Sequence, residues 1–468
     1  VFKSTSNPMT IPSLDVELGA ATSLLDLAHR LGRVCLEEEA KLMSLRDLDD
    51  ELRSHRQYLE RTVASIDPAE WTPRPGDGFR HVIQKYGLDS FVGYVSMHHP
   101  LEYLAFVRGL CAGALTRFFE RTENQIPLAR GLPVPFAKRP IQALFDATPP
   151  PEKISNRELL APIGYEFFRH QRGGFVSTTL DFRHRDRLDA ITWSAAEQLP
   201  TVATLHPFLG DGQLDFTVSG TTFFDVKPKQ WSLEEVLAWL RSVRDLEIAV
   251  LPELCLPAPD ALSTSLAEAP SEYPALVIAG SAHVRRTEGG RTINANESHV
   301  YLDGQLVHVH RKVHPLHVDK LGDRRFEREL SEGLTPEPKE LVVLSGEHTR
   351  LAVVICADLN EALIPALLEA AGVNLLLAPS LTYSAGAFNG AVCGLASRCQ
   401  AICVVVNAYL DEFIDKNKVK RQPFLVLASA PHPEPQEQSM SYRHLLGTPP
   451  PQGRFDPNRT LDQAMTWT

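Results

Sequence analysis

The stretch "LAVVICADLN" at 351–360 decides how this chain is read. Its first five residues form a continuous apolar run, the pattern of a strand buried on both faces. The run ends at Cys356, followed by Ala357 and Asp358. A cysteine in such a run is ordinarily a small buried hydrophobe. Layered α/β proteins, however, place their ligand sites at the carboxyl ends of their strands, so Cys356 is also a candidate nucleophile held at a strand tip.

The neighbouring sequence has the grammar that such a strand requires. "SLEEVLAWLRSVRD" is an amphipathic helix with Ser232 as its cap and Glu234 and Glu235 in its first turn. It leads into "LEIAVLPEL", a second apolar run, and "ALVIAGSAHV" is a third. "TVATLHPFL" and "FTVSGTTFF" read as strands ahead of them, and "SHVYLDGQLVHVHRKV" reads as a hairpin around Asp303-Gly304. "ELVVLSGEHTRLAVVICADLN" supplies two strands. The helix "ALIPALLEAAG", with Gly372 at its C-terminus, the strand "VNLLLAPS", a helix through "GLASRCQ" and the strand "AICVVVN" follow. Helices alternating with buried strands define a layered α/β domain, expected over 196–430.

Residues 1–195 read as a mainly helical region. "SLLDLAHRLGRVCLEEEAKLM" places Leu24, Leu27, Ala28, Leu31 and Val34 at helical intervals. A second helix is expected from Ser44 and a third over "LEYLAFVRGLCAGALTRFFERT". Proline-rich connections follow, "ATPPPEK" being a linker candidate, and "DRLDAITWSAAEQL" is a further helix. The segment 431–468 is rich in proline and polar residues and is expected to be an irregular arm.

Composition narrows the function classes. Hydrophobic residues make up 43% and charged residues 22% of 468, as in soluble globular proteins. A formal net charge of −11 argues against a protein that lives on nucleic acid or an anionic membrane. No segment has the roughly 18–20 uninterrupted apolar residues of a membrane helix. The opening "VFKSTSNPMT" has no apolar stretch after its lysine and is not expected to be a signal peptide. Seven cysteines without paired spacing point to a reducing compartment, and a cytoplasmic location is expected. Cys393, Cys399 and Cys403 lack a zinc-type spacing.

Three apolar runs end in groups that are costly to bury unless paired: Glu253 in "IAVLPEL", Lys312 in "VHVHRKVHP" and Cys356. Together they can perform acyl transfer. A carboxylate takes the thiol proton and returns it to a leaving amine, and an ammonium stabilises the thiolate and the oxyanion. The backbone N–H of Ala357, directly after the nucleophile, is a natural further oxyanion donor. In this order and context the stretch from about 200 to 410 resembles the nitrilase superfamily of carbon–nitrogen hydrolases. "LPEL", "HRKVHP" and "VVICADL" match the positions of that family's Glu, Lys and Cys. "VIAGSAHV", Asn296 with its hairpin, "GVNLLLAPS" and "AICVVVN" match supporting positions.

The resemblance implies an αββα four-layer sandwich, a covalent acyl-thioester on Cys356, no cofactor, no metal and an amide or nitrile substrate. It also implies a homo-oligomer and an auxiliary glutamate between Lys312 and Cys356, for which Glu327 in "RRFERELSEG" is the best match, with Glu329 and Glu332 as rivals. Asp358 matches an aspartate whose role is structural. His308, His310 and Lys312 share one strand face; a cation among them opposes a metal, and His310 is expected to pack or hydrogen-bond near the pocket. Thr382 and Tyr383 are candidate pocket-wall residues, and Cys255 is expected close by on the opposite strand face.

The chain departs from the family after Cys356, where "LNEALIP" stands, and in its long N-terminal region, which could shape the pocket or bind a partner protein. A scaffold or sensor that binds a small molecule without turnover is the competing reading. Acyl transfer to an amine is a third.

Overall fold

The structure is a computed structural model. It describes residues 14–42, 73–75, 78–81, 107, 110–111, 114, 125–129, 133–135, 165–168, 176–192, 200–206, 214–229, 232–256, 258–321, 324–346, 348–382, 386–399, 401–408, 426–429, 452–455 and 465–467. In chain order the elements begin with α1 (Leu14–Ala20) and α2 (Leu24–Leu42). Next come β1 (Gln125–Pro127), β2 (Pro133–Pro135), β3 (Tyr165–Phe167), β4 (Val176–Asp181), α3 (Arg185–Thr192) and β5 (Val202–Leu205). A hairpin, β6 (Leu214–Ser219) and β7 (Thr222–Pro228), precedes α4 (Leu233–Ser242), β8 (Ile248–Val250), α5 (Pro259–Glu268) and β9 (Leu276–Ile278). The middle of the chain is a run of strands: β10 (Ala282–Glu288), β11 (Arg291–Leu302), β12 (Gln305–Arg311), β13 (His317–Leu321), β14 (Arg324–Glu332), β15 (Lys339–Ser345) and β16 (Arg350–Val353). A 3-10 turn (Cys356–Asn360) leads to α6 (Leu363–Ala370), β17 (Leu375–Ser380), α7 (Gly386–Cys399), β18 (Ile402–Asn407) and β19 (Val426–Ser429). The last described elements are β20 (Gln452–Phe455) and β21 (Met465–Trp467).

The chain divides into two compact units. The first, covering 1–124, 128–136 and 148–172, contains α1 and α2 and the short pair β2–β3. The apolar stripe of α2 is buried at Leu27, Ala28 and Leu31, and the thiol of Cys111 donates to the Ala28 carbonyl at 3.2 Å. The helix expected from Ser44 lies outside the described residues. Of the third expected helix, Val107, Leu110, Cys111 and Ala114 are described, and all four are helical and buried.

The second unit is a sandwich. One sheet runs β1-β4-β15-β16-β17-β18-β19; the other runs β10-β11-β9-β8-β5-β20-β21, with β12 on the remaining edge of β11. Their inner faces meet in one aliphatic core: Ile248, Val250 and Ile278 from one sheet join Val353, Leu377 and Val404 from the other. The outer face of the second sheet packs on α4 and α5 through Val236, Leu240, Leu262 and Leu266. Ser232 and Glu235 form the capping box that starts α4. The strand run "ALVIAGSAHV" is interrupted at Gly280, whose φ of 71° splits it into β9 and β10. "FTVSGTTFF" likewise folds back at Gly220 into the hairpin β6–β7.

The sandwich unit reaches outside 196–430. It takes in β1 and β4, the latter parallel to β15. In the segment expected to be an irregular arm, β20 pairs antiparallel with β5. Edge strands have unpaired backbone groups that any extended segment can satisfy, and short polar runs carry no apolar pattern that announces this pairing. No helix among the described residues is long and apolar enough to cross a membrane.

Candidate active site

β5–β8–β9 and β16–β17–β18 are parallel runs in the two sheets, and the chemistry-bearing residues lie just beyond their carboxyl ends. After β8 the backbone makes a forced turn. Leu254 takes a left-handed φ of 58°, and Gly280 approaches so closely that a Cβ there would lie 2.2 Å from the Pro252 carbonyl oxygen. This turn aims Glu253 inward, fully buried. Its Oε1 accepts from Lys312 Nζ at 2.6 Å and Asn296 Nδ2 at 3.0 Å, and its Oε2 from the Leu381 N–H at 3.0 Å.

Lys312 follows β12 and stays tied to β11 through its own N–H to the Asn296 carbonyl, 2.9 Å. Its buried ammonium is shared between Glu253 Oε1 (2.6 Å) and Glu332 Oε2 (2.7 Å). An ammonium has three donors, so one remains for a substrate atom. Burial disfavours this charge, but the flanking carboxylates outweigh it and raise the Lys312 pKa well above that of a free lysine.

Cys356 sits just past β16 at a φ of 46°, in the left-handed region that a side-chain-bearing residue rarely occupies. What over-determines that turn is Asp358. Its Oδ1 accepts from the N–H groups of Val313 and His314 (2.9 and 2.8 Å), and its Oδ2 from Ile355 N–H and His310 Nε2 (both 3.1 Å). One carboxylate thus binds the turn holding the cysteine to the segment after the lysine. The thiol contacts the Leu381 carbonyl oxygen at 3.8 Å, and Glu253 and Lys312 lie close enough to act on its charge. Burial and the neighbouring Glu253 charge push the Cys356 thiol up, with Lys312 opposing them.

The fourth group is Glu332, not Glu327. Glu327 and Glu329 are exposed on β14, whereas Leu330 and Glu332 are buried. The correction follows from period-2 alternation: Glu332 shares a face with the apolar Leu330, and Glu327 and Glu329 lie on the other. Glu332 accepts from Lys312, Asn296 (2.9 Å), His283 Nε2 (2.8 Å) and the Leu316 N–H (2.9 Å).

The two carboxylates differ in electrostatics. Burial works against charge in both. At Glu332 the ammonium and the His283 donor prevail and hold the carboxyl below its usual range. At Glu253 burial prevails over Lys312, with Glu332 adding repulsion, and its pKa is raised. Two acids around one cation, pushed apart in this way, can serve as a proton carrier and a permanent charge.

The other expected residues fall as follows. His310 is buried and bonded to Asp358. Ala357 is buried in the turn after Cys356. Thr382 is half-buried, and its backbone is clamped by the Asn407 side chain in both directions, 2.9 and 3.0 Å. Tyr383 lies outside the described residues. Cys255 is buried in an apolar cluster with Leu254 and Leu381. Sequence reasoning missed His283 and His206. The latter donates through Nδ1 to the Asn407 carbonyl at 2.8 Å and bonds Thr204 Oγ1 at 2.8 Å. Each histidine follows an apolar run, which was the available signal.

The fold and site together define a two-sheet α/β sandwich with a buried Glu-Lys-Glu-Cys cluster at its strand ends. No family model matches the sequence, and no curated protein matches it. Several solved structures are similar over part of the chain. A nitrilase-superfamily amidase from Nesterenkonia is 11% identical over 55% of this chain and 90% of its own, with a TM-score of 0.32. The NitFhit protein of C. elegans is 16% identical over 49% and 55%, with a TM-score of 0.34. Nit3 of Saccharomyces cerevisiae, a member of branch 10 of the nitrilase superfamily, is 15% identical over 56% and 92%, with a TM-score of 0.32. Such scores do not assign chemistry, which has to come from the side chains.

Proposed function

We propose that this chain is a carbon–nitrogen hydrolase of the nitrilase type, acting on a non-peptide amide through an acyl-thioester on Cys356. The observation that carries this reading is the buried Lys312 ammonium, 2.6 Å from Glu253 and 2.7 Å from Glu332, beside a cysteine held in a left-handed turn. Stability alone gives little reason for two acids and one cation in a dry site, since an apolar replacement is usually as stable.

The resting thiol is protonated, so attack requires a base. Glu253 takes the Sγ proton as sulfur bonds to the substrate carbonyl carbon, and the C=O electron pair becomes an oxyanion. The free third donor of Lys312 and the Ala357 N–H receive that oxyanion, each such donor lowering the barrier by on the order of 3 kcal/mol. Glu253 passes its proton to the leaving nitrogen, the C–N bond breaks, and ammonia or an amine departs. Water then loses a proton to Glu253 as it attacks the thioester, and that proton returns to sulfur as the acid is released. Glu332 remains ionised throughout and holds Lys312 in place.

The test combines ammonia release from a panel of amides and nitriles with intact-mass measurement. A mass increase equal to the acyl group, absent in Cys356→Ala, is expected, together with at least a roughly thousandfold loss of turnover in that variant. Turnover unchanged in Cys356→Ala defeats the proposal.

A further inference from the structure

Among the described residues His283 makes no hydrogen bond to the thiol or to Glu253, yet its surroundings are built. Its side chain is 1% exposed. It lies on β10, opposite Asn296 of β11 in the strand register. Its ring stacks face to face on Phe224 of β7, with centroids 4.3 Å apart and planes within 2°. The backbone N–H of Val226, also on β7, donates to Nδ1 at 3.1 Å. A backbone N–H can only donate, so Nδ1 carries the lone pair and the ring proton is on Nε2. That Nε2–H points at Glu332 Oε1, 2.8 Å away.

We propose that His283 is a positioning residue: its Nε2–H fixes the Glu332 carboxylate against Lys312, so that Glu253 alone exchanges a proton with Cys356. This rests on the reading of Glu253, Lys312 and Cys356 as the reacting groups. The hairpin β6–β7 is what sets the tautomer, because it supplies both the stacking ring and the N–H. Asn296 Nδ2 meanwhile bridges Glu253 Oε1 and Glu332 Oε1. Glu332 therefore receives donors on both oxygens and has no lone pair directed at the thiol. Without the imidazole donor, Glu332 is free to turn and Lys312 loses its fixed counter-charge, which weakens its support of the developing thiolate.

Two substitutions separate this role from simple packing. His283→Asn keeps an acceptor near the Nδ1 position for Val226 but is too short to reach Glu332. His283→Gln reaches Glu332 with an amide N–H and gives up the Val226 bond. The readout is the rate of Cys356 alkylation by iodoacetamide at neutral pH, followed by peptide mass. Loss of a hydrogen bond to a charged group predicts about a tenfold slower reaction in His283→Asn and a rate within about threefold of wild type in His283→Gln. A purely structural role predicts the reverse order. The reverse order, or equal rates in all three proteins, overturns the proposal. Nitrogen-15 histidine NMR, assigned by the signal lost in His283→Gln, must show a neutral ring protonated on Nε2; an Nδ1–H or doubly protonated ring also overturns it. If turnover is unchanged in Cys356→Ala, the nucleophile reading falls, while the tautomer measurement still decides the placement of His283.

Discussion

Val353, Leu377 and Val404 in the sandwich interior, and Glu253, Lys312 and Glu332 at its rim, are all buried to within a few per cent of full burial. The interior groups lose water at a gain, about 25 cal/mol for each Å² of apolar surface removed. The rim groups lose it at a cost, and persist because each charge meets an opposite charge or a directed N–H. The interior therefore responds to volume, and the rim to the loss of any one partner. The same contrast explains the rigidity of the site: four side-chain hydrogen bonds among Glu253, Lys312, Glu332 and Asn296, with one backbone N–H each from Leu316 and Leu381, leave few alternative arrangements.

Replacing the central cation tests the contrast most severely. Lys312→Met preserves length and removes charge, leaving two carboxylates facing each other, and is expected to cost about 4 kcal/mol in denaturant unfolding. A loss below about 1 kcal/mol would mean that water reaches the rim and that the buried-charge account is wrong.

The next effect concerns His206, buried at the end of β5, whose pKa burial lowers to about 4. Its folded value lies below the unfolded one of about 6.5. The unfolded chain therefore binds the proton more readily, and stability is fully present above about 6.5 and lost as pH falls toward about 4. This one group accounts for about 3 kcal/mol across that window, and the corresponding part of the pH slope should vanish in His206→Asn. Persistence of the full slope would assign it to other groups.

The smallest effect belongs to the interior. Ile402→Val removes one methylene from the aliphatic core and is expected to cost about 1 kcal/mol, with no change in reactivity of Cys356. A larger loss accompanied by a slower thiol would show that core and rim are mechanically coupled.

Much of this arrangement is visible in the chain because burial and periodicity are local. Runs such as "LEIAVL" and "LAVVI" announce buried strands, and a Glu, a Lys or a Cys closing such a run is conspicuous. Asp303-Gly304 announces the β11–β12 turn, where φ is 47° and 75°. Glu332 was legible too, through its two-residue spacing from Leu330, although Glu327 matched the local motif better. What stayed hidden involves partners distant in sequence. Nothing in "QGRF" at 452–455 indicates that it pairs with β5, and nothing in "FFDV" at 223–226 indicates that its backbone would set the proton on His283.

The sequence alone thus determined which segments must be buried and which reactive groups sit at their ends, since apolar spacing and residue chemistry are properties of short stretches. Only the tertiary structure decided which acid is held below the usual carboxylate range and which is raised above it. That outcome depends on the count and direction of donors brought from β7, β10, β11 and the segments after β12 and β17, and their convergence is a property of the folded chain.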